Sequence, residues 1–348
     1  MMPKMAGNLF EQITTFGNLH AAYRQAARGK RWGRQALAFR QDLEANLLDL
    51  QTELCSQTYH VGVYRKFMVY EPKAREIAAL PFRDRVVHHA LVRAIEPLFE
   101  RKFIRDSYAC RVGRGTHAGA DRIEFMLRRA NRNWPAVYCL KGDVARFFPS
   151  ISHDDLKGIL RRTVRCPKTL WLLDLIIDST VPPPVGLPIG NLTSQLSANI
   201  YLNELDHFVK EHLRARDYVR YMDDFIILRP EKEVLRGWLR QIEGFLAQEL
   251  HLRLNAKTSI FPVGQGIDVL GYRIWATHRF LRRRSIVGMR RTVRHLAREY
   301  AQGRVPLEYV RSVVAAWHGH ARHAATYHAT EALRQAWCKT LESHSTGL

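Results

Sequence analysis

The chain has 348 residues, enough for roughly two or three packed subdomains. Its 54 Lys and Arg residues outnumber the 33 Asp and Glu residues, and the formal charge of +21 favours a polyanionic partner such as nucleic acid, although ribosomal and membrane-surface proteins share this bias. The five cysteines have neither metal-site spacing nor the even number of a disulfide framework. No apolar run has membrane-spanning length and residues 1–27 lack the order of a signal peptide, so we expect a cytoplasmic protein with no membrane partner.

Apolar residues at helical spacing dominate the beginning of the chain, and short strands alternate with helices after it. We predict helices over residues 8–56, strands over 64–70 and 75–79, a helix over 84–99, a strand over 136–140, an amphipathic helix over 193–210, strands over 219–221 and 225–228, and a helix over 231–248. This alternation favours an α+β fold over a doubly wound parallel sheet.

Asp223 and Asp224 are adjacent carboxylates inside an apolar run over residues 219–228. Neighbouring carboxylates repel each other and are costly to remove from water, and a divalent cation is the usual compensation. An acidic hairpin turn in solvent is the alternative, because Asp is common in turns. The pair taken alone does not distinguish the two interpretations.

Asp143 follows the predicted strand over residues 136–140 and can complete a metal site with the Asp223–Asp224 pair. Phosphoryl transfer needs mainly positioning and charge neutralisation, which two Mg²⁺ ions held by a few carboxylates and by substrate phosphates supply. A carboxylate at a strand end is weak evidence by itself, since such residues often cap the next helix. A strand-end Asp together with an Asp–Asp hairpin is the smallest carboxylate set of a polymerase.

The motifs of residues 60–275 resemble, in order, those of reverse transcriptases. The matching segments are residues 70–77, Asp84-Arg85, Asp143, residues 186–195, Tyr221-Met222-Asp223-Asp224, Lys257 and residues 270–272. The resemblance implies a right-hand polymerase that acts as an RNA-directed DNA polymerase. It divides the chain into a helical N-terminal extension (1–60), fingers (61–135), the first part of the palm (136–158), a fingers/palm insertion (159–184), the second part of the palm (185–276) and a basic helical thumb (277–348).

Ile189 and Gln195 stand where most bacterial reverse transcriptases have Gln and Pro. In this respect the chain is similar to the reverse transcriptases of diversity-generating retroelements. That resemblance implies an enzyme that copies a template-repeat RNA into cDNA, misincorporates opposite adenines, diversifies a target gene and works with a small, oligomeric helical accessory protein. A retron or group II intron relative, and a non-catalytic RNA-binding scaffold, are the alternatives.

The resemblance assigns the metal site to four residues. The carboxylates of Asp143, Asp223 and Asp224 and the main-chain carbonyl of Val144 would bind two Mg²⁺ ions, with Mn²⁺ as a possible substitute. Asp224 is the member of the pair that acts more through its charge than through contact.

The resemblance also implies a site for deoxynucleoside triphosphates. Its members are Lys73, Arg75, Phe148, Ile189, Gly190, Gln195 and Lys257. Lys73 and Arg75 would bind the triphosphate, and Lys257 would face the leaving pyrophosphate. Phe148, five residues after Asp143, would fill the space of a ribose 2′-hydroxyl. The alternatives are ordinary solvated cations and a core phenylalanine.

Nine arginines and no acidic residue occur between Arg273 and Arg298. Arg290, Arg294 and Arg298 recur every four residues and would share one helix face. With Arg283, they are candidates for binding an RNA–DNA hybrid; a solvated charged face is the alternative. Residues 317–323 contain three histidines without the spacing of a zinc site, so we predict packing or stacking there.

Overall fold

The structure, a computed structural model, describes residues 9–70, 74–179 and 184–345. Its helices are α1 Leu9–Thr14, α2 Phe16–Ala27, α3 Arg34–Gln41, α4 Leu43–Cys55, α5 Phe82–Glu100, α6 Thr116–Asn133, α7 Phe147–Ser150, α8 His153–Arg161, α9 Pro167–Asp178, α10 Leu192–His207, α11 Lys232–Glu249, α12 Arg283–Ala301, α13 Leu307–Ala321 and α14 Tyr327–Ser345. Its strands are β1 Arg65–Val69, β2 Arg75–Ala79, β3 Tyr138–Asp143, β4 Tyr218–Tyr221, β5 Asp224–Arg229, β6 Ser259–Pro262, β7 Ile267–Val269, β8 Tyr272–Ile274 and β9 Arg279–Leu281. This mixture confirms the predicted α+β class.

A four-stranded antiparallel sheet in the order β4-β5-β3-β6 forms the centre of the molecule. Helix α11 contacts β3 and β5, and helix α6 contacts β4 and β5. Because helices cover the sheet, residues 225–228 of β5 are all buried, which explains why the sequence shows a continuous apolar run rather than an alternating one.

The prediction of an amphipathic helix over residues 193–210 is wrong. Most residues of α10 are buried, and the helix contacts α5, α8 and α11. Several of its polar residues make buried hydrogen bonds. Asn199, for example, donates a hydrogen bond to the carbonyl of Ala109 at 2.8 Å. A π-helical turn over Phe208–His212 follows the helix.

Helices α1 to α4 confirm the helical prediction for residues 8–56 within the described part, and α2 packs along α5. Strands β1 and β2 lie where the sequence predicts strands, and they pair with each other in antiparallel orientation. After the central sheet, the small sheet β7-β8-β9 leads into α12, α13 and α14, and α12 packs against α14 through Met289, Val293 and Leu333. None of the helices in these ranges has the length and apolar character needed to cross a membrane.

Candidate active site

The end of β3 brings Asp143 beside the Asp223–Asp224 pair. Asp143 is the residue of β3 that lies opposite Asp224 of β5, and the backbone N–H of Val144 donates to the carbonyl oxygen of Asp223 at 3.2 Å. The packing of Phe225 of β5 over Gly142 of β3 helps to fix this register. Asp143 and the Asp223–Asp224 pair, which are distant from each other in the sequence, therefore meet at one end of the sheet.

The carboxyl of Asp223 is electrostatically perturbed. Burial raises the pKa of Asp223 to about 6, and the charges of Asp224 and Asp143 act in the same direction, whereas Arg75 opposes them. A carboxyl that is held beside two like charges favours a counter-cation. The donor set therefore fits a divalent metal ion.

The side chains are not arranged as a complete protein cage. In residues 9–70, 74–179 and 184–345, no three Asp, Glu, His or Cys side chains are already positioned to hold a metal ion. Mg²⁺ usually keeps several waters and binds through one or two carboxylates together with substrate phosphates. Asp143 and Asp224, opposed across the two strands, would supply such carboxylates.

The loop before β6 is attached to the backbone of Asp143. The N–H of Asn255 donates to the carbonyl of Asp143 at 2.7 Å, and the side chain of Asn255 accepts a bond from the N–H of Lys257 at 3.1 Å. Lys257 itself is exposed. The structure therefore places this sequence-predicted cation on a loop that is fixed next to the carboxylates.

Phe148 and the glycine-containing segment 186–190 are joined by backbone hydrogen bonds. The N–H of Leu187 donates to the carbonyl of Phe148 at 2.8 Å, and Phe148 is half-buried against the core. Gly186 has a φ of +103°, and a Cβ there would come within 3.3 Å of the Pro149 carbonyl oxygen. This glycine lets the segment approach the chain that follows Asp143.

The same segment is bound to the β1–β2 hairpin. The N–H of Ala78 donates to the carbonyl of Ile189 at 3.0 Å, and Gly190, with a φ of +121°, lies against Ile77. Ile189 is half-buried, and so is Gln195 in the first turns of α10. These contacts unite Ile189 and Gly190 with the hairpin that carries the exposed Arg75.

Arg75 is the first residue of β2, and its charge acts to lower the pKa of Asp223, against the effect of burial. Lys73, predicted to act with it, lies outside the described residues.

The arginines after the central sheet fall into two groups. Arg279 and Arg282 make ion pairs with Asp121 and Asp268, and these contacts connect α6 and β7 to the segment before α12. The members of the second group, Arg283, Arg290, Arg294 and Arg298, are exposed on α12. Arg290, Arg294 and Arg298 line a groove of ≈ 260 Å³ between α12 and α14, which also contains Lys339.

The sequence did not reveal two buried residues beside the carboxylates, Asp206 and Arg220. The sequence feature that could have identified Arg220 is its position inside the otherwise uncharged strand β4. His320, in the predicted packing segment, is stacked on Tyr272 with the ring centroids 4.8 Å apart.

Residues 66–274 match the family model described as reverse transcriptase (RNA-dependent DNA polymerase), and the chain belongs to this family. It is 28% identical to protein YkfC of Escherichia coli K12 over 304 residues, covering 75% of this chain and 77% of that protein. It is 25% identical to the group II intron-encoded protein LtrA of Lactococcus lactis subsp. cremoris, covering 59% of this chain but only 35% of LtrA.

Among solved structures, the apo telomerase of Candida tropicalis aligns with a TM-score of 0.51 at 11% identity, covering 83% of this chain and 59% of that one. This likeness concerns the fold alone. Together with the family match, it confirms the predicted right-hand polymerase fold, and the family confirms the enzyme class, RNA-directed DNA polymerase. The boundaries of fingers, palm and thumb stay predictions.

Proposed function

We propose that this protein copies an RNA template into DNA by two-metal phosphoryl transfer. The observation that carries the proposal is the convergence of Asp143, Asp223 and Asp224, with Asp143 and Asp224 paired in register. The substrates are deoxynucleoside triphosphates and a primer on an RNA template. The exposed arginines of α12 suit the phosphates of the resulting RNA–DNA hybrid, because they form a positive stripe.

The carboxylates of Asp143, Asp223 and Asp224, with the carbonyl of Val144, would hold two Mg²⁺ ions, and Mn²⁺ could replace them. Bound metal ions supply activation of the primer hydroxyl and stabilisation of the charge on the leaving pyrophosphate. Arg75 and Lys73 bind the triphosphate, and Lys257 approaches the pyrophosphate from its loop beside Asp143. Catalysis then rests on positioning and charge neutralisation, as in other phosphoryl transfers.

Phe148 selects the sugar in this proposal. Its ring is half-buried, and its backbone is bound to Leu187 next to the segment that approaches the nucleotide. A ribose 2′-hydroxyl would collide with this ring, whereas a deoxyribose would fit. The product is therefore DNA.

Within this class we propose the diversity-generating type, which copies a template-repeat RNA and tolerates mispairs opposite adenine. Ile189 supports the subtype because its side chain lacks the amide of the usual Gln and so offers fewer hydrogen bonds to the nascent base pair. The main-chain carbonyl of Ile189 already accepts a hydrogen bond from the N–H of Ala78. A replacement at this position therefore changes the side chain that is offered to the base pair. A small, oligomeric helical accessory protein and a cytoplasmic location belong to the same proposal.

Ile189→Gln tests the subtype. The cDNA that the wild type and the variant synthesise on one RNA template would be sequenced, and we expect fewer substitutions at template adenines in the variant. Gln195→Pro is the matched variant, because it introduces the usual residue at the second position where this chain differs from most bacterial reverse transcriptases. Unchanged adenine substitution frequency in Ile189→Gln would remove the proposed role of Ile189.

A group II intron-associated reverse transcriptase is the second candidate, and the similarity to LtrA favours it. Sequencing of RNA that co-purifies with the protein from its native cell separates the two. A template repeat with an adenine-substituted copy in a neighbouring gene supports the first candidate, and intron RNA supports the second. RNA binding without DNA synthesis would support a non-catalytic scaffold instead.

A further inference from the structure

Arg220 and Asp206 form an ion pair in the core behind the candidate active site. Both side chains are 0% exposed. Nε and Nη2 of Arg220 donate to the two carboxylate oxygens of Asp206, each at 2.7 Å, and the hydroxyl of Tyr218 donates to the same carboxylate at 2.7 Å. The pair joins β4, which leads into the acidic turn, to the central helix α10.

The remaining nitrogen of the guanidinium reaches the acidic turn itself. Nη1 of Arg220 donates to the carbonyl of Met222 at 3.0 Å and to Oδ1 of Asn199 at 3.2 Å. Met222 has a φ of +56°, a left-handed conformation that is unfavourable for a non-glycine residue. The hydrogen bond to its carbonyl therefore stabilises a strained residue that directly precedes Asp223.

A contribution to the stability of the fold does not by itself explain why Arg220 and Asp206 are buried as an ion pair. Removing two charges from water is costly, and apolar residues of similar volume often replace a buried ion pair without loss of stability. What apolar residues would not supply is a rigid, charged donor aimed at the Met222 carbonyl, directly before Asp223. Asp206 is the main group that raises the pKa of Arg220, and the charge of Asp223 acts in the same direction.

We propose that Arg220, oriented by Asp206, is a positioning residue that holds the Met222–Asp223 turn in the conformation that metal binding requires. The inference rests on the proposed polymerase function. It predicts that loss of the Arg220 contact weakens metal binding and slows the chemical step even when the fold survives. Partners that orient metal ligands typically contribute about 10–100-fold to metal affinity or activity.

Arg220→Lys is the most informative variant, because it keeps the charge but cannot bind Asp206 through two nitrogens and Met222 at the same time. Arg122→Lys is the matched control. Arg122 makes a similar two-nitrogen contact with Asp106, at 2.8 and 3.1 Å, but its side chain makes no hydrogen bond to residues 221–224 in the described part of the chain. The double variant Asp206→Leu/Arg220→Met removes both charges. It separates the loss of the Arg220 contact from the destabilisation that a single unpaired buried charge would cause.

Three quantities are measured for the full chain: the melting temperature, Mn²⁺ binding from the electron paramagnetic resonance signal of the free ion, and kcat and KM for dTTP on a poly(rA)/oligo(dT) template. We expect both Arg220 variants to bind Mn²⁺ about tenfold more weakly and to lose about 10–100-fold in kcat, with KM for dTTP changed less than threefold. The control should lose thermal stability without either change.

Two failures are distinguishable. Wild-type Mn²⁺ affinity in both Arg220 variants would overturn the inference, whatever happens to their melting temperatures, and would leave the polymerase proposal intact. A wild-type protein that neither binds Mn²⁺ nor extends the primer would overturn the proposed function, and the inference with it.

Discussion

Asp143 of β3 and Asp224 of β5 are directly opposed across an antiparallel pair of strands, and the residues one step back in the two strands, Gly142 and Phe225, are also opposed. The ring of Phe225 lies over the glycine, where a Cβ would overlap its carbon atoms. The bare backbone of Gly142 therefore allows the close approach of strands that brings the two aspartates together. The geometry of the site depends on packing immediately behind it.

Gly142→Ala tests this dependence. The added methyl should displace Phe225 and destabilise the fold by about 1–3 kcal/mol, as overpacking in a tight core does. Urea unfolding monitored by circular dichroism measures the change. Gly158→Ala in α8 is the control, since its Cβ meets nothing within 4 Å and alanine favours a helix. Equal stability in Gly142→Ala and the wild type would contradict the packing account.

Phe148→Ala tests the sugar selection. Removing the ring should let ribonucleotides enter, and we expect their kcat/KM relative to deoxynucleotides to rise at least about tenfold, which corresponds to about 1.4 kcal/mol. Single-nucleotide primer extension with dTTP and UTP measures the ratio. The buried neighbour supplies the control, because Phe147→Leu should lower stability and leave the ratio unchanged. A constant ratio in Phe148→Ala would remove the proposed role.

The buried His88 predicts a pH dependence of stability. Burial lowers the pKa of His88 to about 3, and its Nδ1 lies 2.9 Å from the hydroxyl of Thr193. Between about pH 6.5 and pH 3 the unfolded chain binds this proton and the folded chain does not, so the free energy of unfolding falls as the pH falls. The slope is about 1.4 kcal/mol per pH unit for one proton.

Urea unfolding of the wild type and of His88→Gln between pH 7 and pH 4.5 isolates this contribution. The difference between the two proteins should shrink, or change in favour of the variant, as the pH is lowered. His60→Gln, at an exposed position after α4, serves as the control. Parallel curves for wild type and His88→Gln would contradict the account.

Replacing Arg290, Arg294 and Arg298 together by Gln should weaken binding of an RNA–DNA hybrid mainly at low salt. Each lost phosphate contact should reduce the slope of log affinity against log salt by about 0.7–0.9. Fluorescence anisotropy with a labelled hybrid measures this slope. Arg304→Gln is the comparison, since Arg304 is paired with Glu299 and should contribute little. An unchanged slope in the triple variant would mean that Arg290, Arg294 and Arg298 form a solvated charged face that does not contact the hybrid.

The elements of the site were predictable where the evidence in the sequence is local. An acidic pair in an apolar run indicated the hairpin of β4 and β5, and a short apolar strand ending in Asp143 indicated β3. Their register was not predictable, because it follows from the packing of Phe225 on Gly142 and from the helices that cover the sheet. Local patterns do not contain such contacts.

The contacts of the polar residues in the core could not be predicted from local patterns in the sequence. The spacing of apolar residues predicted an amphipathic helix over residues 193–210, but α10 also buries polar residues such as Asn199 and Asp206. Their partners, the Ala109 carbonyl and Arg220, lie in other elements of the fold, and periodicity does not reveal them. The same distant pairing concealed Arg220 as a neighbour of the acidic turn.

If Asp143, Asp223 and Asp224 hold the catalytic metal ions, DNA synthesis on an RNA template requires these carboxylates. Primer extension with Mg²⁺ on a defined RNA template compares the wild type with Asp143→Asn, Asp223→Asn and, as a control on an acidic residue away from the site, Asp174→Asn. We expect extension by the wild type and the control, and a loss of at least about a hundredfold in the first two variants. Undiminished synthesis by Asp223→Asn, or none by the folded wild type, would contradict the account.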